Sequence, residues 1–189
     1  MSRVLAAARS WCHDKTMRRN PTPVALALLF LANAAAAQNV RVRLQAFTEP
    51  VLLDTIQVQR EFRATPAKVY EAVLHAYPAL EIPLGQTSST EGVIGSERFS
   101  RSRSLAGALL SKSYDCGDGP TGPIADSYNL EIVVVAYVVP GPGSGTRLGV
   151  STIASGRDLT GPIRVPRACL STGRLEKLVF DEITKRTGG

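Results

Sequence analysis

Chemistry near neutral pH needs a side chain that can take up or release a proton there, and this sequence offers few. Its two histidines are His13 and His75, which removes most imidazole acid–base schemes and most sites built from clustered histidine ligands. A serine nucleophile would have to use His75 as its base. Helical spacing puts His75 beside Ala76, with Glu71 on the same helix and Glu81 just past its end; a histidine so placed is more often a surface or boundary residue than a base. Asp115 and Asp118 flank Cys116 and Gly117, where Asp-Gly sequences favour turns. The pair lacks the ligand count of a calcium loop, so no metal is expected. The glycine-rich GPGSGTRLG from Gly141 follows an apolar strand, as the phosphate-binding turn of a dinucleotide fold does. Here Thr146 takes the place of the third glycine, Pro140 and Pro142 interrupt the turn, and the following residues alternate like a strand. A hairpin connection is expected instead, with no cofactor.

Three further sets of residues carry chemical interest. Cys116 and Cys169 are the only cysteines beyond Cys12. In an oxidising compartment such a pair reads as one disulfide, the competing uses being a metal knuckle, for which the spacing is wrong, and a reactive thiolate, which has no nearby histidine to activate it. Arg98, Arg101 and Arg103 in RFSRSRS read as a solvated strand edge whose basic side chains discourage edge pairing, or as a patch for anions or lipid headgroups. The aromatics Tyr70, Tyr77, Phe99 and Tyr137 fall on elements expected to face the interior. They read as core, or as the lining of an apolar pocket in which a tyrosine hydroxyl supplies one directed hydrogen bond.

Those residues must be positioned by what surrounds them. Residues 24–37 (VALALLFLANAAAA) form an apolar run preceded by Arg18 and Arg19 and closed by small residues. A membrane span needs roughly 20 apolar residues, so the run reads as a secretory signal cleaved near Ala37/Gln38. Met17 would by itself begin a more typical signal than Met1. No cysteine stands at the cut, which disfavours a lipid anchor. The chain has 189 residues, 44% of them apolar and 20% charged, as for one globular domain. Its net charge of +6 belongs mostly to the leader, which holds five of 22 basic and one of 16 acidic residues. The 17 basic and 15 acidic residues that follow give only +2, so no nucleic-acid partner is expected. The domain spans residues 38–189, in the periplasm or outside the cell, and no transmembrane helix is expected in it.

Alternation in residues 55–62 predicts a half-buried strand with Ile56, Val58 and Phe62 on one face. A helix follows, with Thr65 as N-cap and Pro66 at its first position, packing Val69, Ala72, Val73, Ala76, Tyr77 and Leu80 and stopping near Pro78. Residues 82–86 and 93–101 read as extended, joined by TSSTEG. Residues 105–126, rich in Gly, Pro, Ser and Asp, read as a long loop containing Cys116. Residues 129–139 (NLEIVVVAYVV) are apolar on both faces and belong in the middle of a sheet. Residues 146–154 return as a partner strand with Leu148 and Val150 on one face. After an irregular stretch over 156–166, Ser171 or Thr172 caps a last helix over 173–186 whose stripe is Leu175, Leu178, Val179 and Ile183. The order predicts an α+β fold.

REFRATPAKVYEAVLHAYPAL (residues 60–80), with its strand, Ala-Thr-Pro-Ala step and helix opening on Val69-Tyr70, resembles the first strand and helix of the helix-grip superfamily. That superfamily includes START-like lipid-binding domains and the repeated domains of outer-membrane-assembly lipoproteins. TSSTEGVIGSERF (residues 87–99) is similar to its following hairpin. Tyr70 stands where a tryptophan is common, and the last helix is short for a full grip. The resemblance implies a curved antiparallel sheet gripping the final helix, with a cavity between them. The expectation is thus a non-catalytic exported protein, a binding or assembly module whose partner is an unknown envelope protein. The alternative is a carrier or sensor of a small apolar or lipid ligand held between sheet and helix.

Overall fold

Residues 129–140 put β-branched side chains on both faces of an extended chain, a pattern that is stable only where both faces are covered. In the computed structural model this segment is the central strand of the sheet. The structure describes residues 41–159 and 165–188, except Gln45 and the side chains of Asp54 and Thr55; the expected leader and its cleavage site lie outside the described residues. The first elements are β1 (Arg41–Val42), β2 (Val51–Leu52), a 3-10 turn (Leu53–Ile56), β3 (Val58–Phe62) and α1 (Pro66–Ala79). Next come β4 (Leu84–Ser88), β5 (Val93–Ser96), β6 (Phe99–Ser102), β7 (Ser104–Leu105), β8 (Ala108–Leu109) and a second 3-10 turn (Leu110–Lys112). They are followed by β9 (Tyr114–Asp115), β10 (Asp118–Gly119), β11 (Gly122–Pro123) and α2 (Ile124–Ser127). The last are β12 (Asn129–Pro140), β13 (Thr146–Arg157), β14 (Arg167–Ser171) and α3 (Arg174–Thr187). Among the described residues no helix is long and apolar enough to cross a membrane.

The fold is α+β, with a mostly antiparallel, uncurled to weakly curved sheet and the C-terminal helix packed on it. The eight-stranded sheet runs β4-β5-β12-β13-β14-β9, with β6 also on β12 and β3 also on β13. The β12–β13 ladder is continuous from Asn129↔Arg157 to Pro140↔Thr146, so the glycine-rich segment is a hairpin connection. Beside β12, Gly95 pairs with Val135 and Phe99 with Ile132. Four steps along one chain thus face three along the other, a bulge that divides β5 from β6 and leaves Glu97 and Arg98 off the ladder. The Val134 N–H, which loses its ladder partner there, donates to Ser96 Oγ at 2.9 Å.

The period of two along β12 separates two apolar clusters. Leu130, Ile132, Val134, Ala136 and Val138, with Leu148, Val150 and Ala154 of β13, face Val69, Val73, Ala76 and Tyr77 of α1 and Leu175, Val179, Phe180 and Ile183 of α3. Val133, Val135, Tyr137 and Ile153 lie in a second cluster with Leu44 and Leu53 and the half-buried Val42, Phe47 and Val51. The stretch before β3 therefore covers the second face.

Several local expectations are corrected. The strand expected over 55–62 begins only at Val58, and a 3-10 turn holds Leu53–Ile56. β3 is a marginal strand paired with Thr146–Val150, so Phe62 reaches the core while Ile56 and Val58 each stay 43% exposed. Thr65 makes no side-chain cap; its carbonyl accepts from Val69 N. α1 runs one residue past Pro78, because a proline in the last turn removes a single donor. Residues 105–126 are not a long loop: Leu105, Leu110, Tyr114, Cys116, Ile124 and Ala125 are buried there, and burial of so much backbone requires the short ladders β7–β8, β9–β14 and β10–β11. β14 occupies residues expected to be irregular or connecting. Gly173, at φ 85°, precedes α3, while Ser171 Oγ accepts from Gly173 N and Thr172 Oγ1 donates to Lys112 O. The α3 stripe includes Phe180, with Leu178 only half-buried.

Gly92, at the end of the β4–β5 turn, shows why a glycine is needed. Its φ is +68°, and a Cβ there would run into the Val138 carbonyl. The close approach permits Val138 N to donate to Gly92 O at 2.7 Å.

Candidate functional site

Burial of the first face brings Tyr77 and Phe99 into the sheet–helix interior. Tyr77 sits one turn from Val73 on the buried side of α1, and its hydroxyl donates to Ile94 O at 3.3 Å. Burial pushes the Tyr77 phenol well above its ordinary range, with the nearby Tyr137 phenol adding to the shift. Phe99 is buried under Arg101, whose guanidinium lies 5.0 Å from the ring centroid. Tyr70 is half-buried and lines a groove of about 420 Å³ with Pro66, Ala67, Leu74, Gly92 and Val138. Tyr137 is the correction: two residues from Val135 on the alternating strand, it lies with the second cluster, across the sheet from Tyr77 and Phe99. The four aromatics therefore do not line one cavity.

The arginines are separated by the bulge and the turn after β6. Arg98, on the bulge, donates to Arg43 O at 2.9 Å and pairs with Glu131 at 3.6 Å. Arg101 donates to Glu81 O at 2.6 Å and to Ser100 O at 3.0 Å. Arg103 follows at φ 71° and is exposed. Arg98 and Arg101 thus hold neighbouring backbone in place instead of converging on one point. His75 is exposed on α1. Asp115 Oδ1 accepts from Gly117 N at 2.8 Å, closing a side-chain turn over Asp115-Cys116-Gly117. Among the described residues no group of three or more metal-ligating side chains converges.

Cys116 and Cys169 form a disulfide across 53 residues of chain. It joins the segment between β9 and β10 to β14, and both cysteines are buried. Beside it lies a polar cluster that composition does not announce. Tyr114 Oη and Thr152 Oγ1 are 2.8 Å apart, and Thr152 Oγ1 lies 3.1 Å from Val133 O. Burial raises the Tyr114 phenol above its ordinary range against the lowering effect of that bond. Glu176, in the first turn of α3, is 1% exposed, and its Oε2 has no hydrogen-bond partner among the described residues. Burial raises its carboxyl, opposed by hydrogen bonds from Ser171 and the Glu176 backbone. The signal was present: Glu176, Val179, Phe180 and Ile183 recur at helical spacing, so a carboxylate stands within the buried stripe.

Outward, the sheet margin carries apolar side chains. Val58 is opposite Val150, and Cys169 is opposite Ala154 on the same edge of β13. The 3-10 turn before β3 and the end of β14 therefore flank the same short stretch of β13. Ile56 and Val58 are 43% exposed and Leu170 65%; Val58, opposite Val150, is on the helix side of the sheet, whereas Leu170, next to the inward Cys169, is on the other side. Arrangements of this kind can bind by contact.

Compared with known proteins, the chain matches no protein-family profile and no curated protein.

Proposed function

We propose that the chain acts, after export, as a non-catalytic binding or assembly module of the cell envelope, recognising another envelope protein through its sheet margin. One observation carries this reading. The sheet–helix interior is filled by side chains, with Tyr77, Leu130, Ile132, Leu148, Val179 and Phe180 at 2% exposure or less, while Ile56 and Val58 remain uncovered at and just before the start of β3. Apolar groups left outside a well-packed core suit a protein contact better than a carried ligand. The buried Cys116–Cys169 disulfide supports an oxidising compartment, periplasmic or extracellular. The resemblance of residues 60–80 to the helix-grip superfamily supports the same role.

A second reading, carriage or sensing of a small apolar or lipid ligand, is favoured by the groove of about 420 Å³ beside Tyr70 and Leu74. Native mass spectrometry of the protein purified from its own envelope separates the two. A bound protein subunit supports the assembly role, and an added mass of lipid size supports carriage. A bare monomer overturns both.

A further inference from the structure

The second face of the sheet is covered by a segment that belongs to no part of the main ladder. β1 and β2 pair only with each other, through Arg41↔Leu52 and Val42↔Val51. Leu44 and Leu53, at 1% and 0% exposure, press on Val133, Val135, Tyr137 and Ile153, and Val42, Phe47 and Val51 pack around them. These contacts form a cluster separate from the one beneath α1 and α3. Lifting residues 41–53 therefore breaks no hydrogen bond of the eight-stranded sheet and removes no side chain from the main core.

We propose that residues 41–53 are a strap that opens as a unit below global unfolding, uncovering an apolar face centred on Val133, Val135, Tyr137 and Ile153. Arg98 is its latch. The bulge between β5 and β6 projects Arg98 off the ladder, where one guanidinium meets the strap at Arg43 O, 2.9 Å away, and the sheet at Glu131, 3.6 Å away. Ser151 Oγ, on β13, donates to Leu53 O at the strap's other end. The cover is already incomplete. A groove of about 240 Å³ runs between Val42 of the strap and Val93, Gly95, Val133 and Val135 of the sheet, with Gln86, Ser88 and Glu91 among the residues lining it. A unit with its own small apolar cluster and its own two-residue ladder opens at lower free energy than the sheet beneath it. This opening does not depend on the binding role proposed above.

Hydrogen exchange read by mass spectrometry on the folded protein tests it. Amides in residues 41–53 are expected to exchange through an opening with little denaturant dependence, while those of β12 and β13 exchange only by global unfolding. Arg98→Ala should speed strap exchange about tenfold, as loss of one exposed charge-assisted hydrogen bond would, and should raise binding of the apolar dye ANS. Leu44→Ala, which leaves the sheet intact, should speed it more, with the main thermal transition moved far less than by Leu130→Ala beneath the helices. Strap and β12 amides exchanging with one common denaturant dependence would overturn the proposal. So would Leu44→Ala lowering the melting temperature as much as Leu130→Ala, or Arg98→Ala leaving strap exchange unchanged.

Discussion

Removing the Cys116–Cys169 bond should weaken the protein without dissolving its fold. The bond closes 53 residues, and in the chain-entropy account a loop of that length stabilises by about 4 kcal/mol, through the unfolded state. The folded state has other ties in the same place. β9 pairs with β14 through Leu170↔Asp115 and Ser171↔Tyr114, and Thr172 N donates to Ser113 O at 3.0 Å. Alanine is the informative replacement, because serine would add two hydroxyls at positions 7% and 0% exposed. For a domain of this size, each kcal/mol corresponds to about 2–4 °C in melting temperature. The Cys116→Ala/Cys169→Ala variant should thus retain its far-ultraviolet circular dichroism and melt roughly 8–16 °C lower. Reduced wild-type protein should fall by a similar amount, and reductant should leave the double variant unmoved. A melting temperature within about 2 °C of the oxidised protein, or two titratable thiols in denatured, unreduced protein, would refute the reasoning.

Gly92→Ala should destabilise by about 2–4 kcal/mol, since it adds positive-φ strain to a clash with the Val138 carbonyl; urea unfolding of the pair measures it, and a change under about 0.5 kcal/mol would contradict the turn geometry. Glu176 has its carboxyl raised by burial, so its contribution to stability is fully present below the unfolded carboxyl range and is lost as pH rises through the raised folded value. Urea midpoints for wild type and Glu176→Gln should therefore diverge in favour of the glutamine as pH rises, and parallel curves would reject a carboxyl raised by burial. Leu130→Ala, at a fully buried central position, should cost about 2–5 kcal/mol by the same assay.

How much of this was legible depended on whether the sequence signal was local. The β12 run, its hairpin to β13, the helix opening on Pro66 and the cysteine pair announce themselves by period, punctuation or residue type, and the structure has each of them. β14 was missed because Arg167–Ser171 has only one buried side chain, Cys169, so its pairing with β13 and β9 leaves no apolar alternation to read. The 105–126 segment reads as loop by composition, yet six of its nine apolar residues are buried, and short ladders answer its backbone polar groups. Tyr137 was assigned to the wrong side since a strand apolar on both faces does not reveal which parity meets the helices. The cover from Leu44 and Leu53 is a tertiary fact: seven of the thirteen residues over 41–53 are apolar, but nothing local says that they meet the second face of the sheet. Glu176 was readable from its spacing alone.

The proposed recognition is by contact at the apolar margin beside β3. Photocrosslinking residues placed at Ile56 and at Val58, in cells exporting the protein, test it most directly, with exposed Lys185 on α3 as the control position. Adducts to one common protein from Ile56 and Val58, and none from Lys185, are the result expected. Edge positions that give no protein adduct, or only lipid-sized ones, would contradict the account.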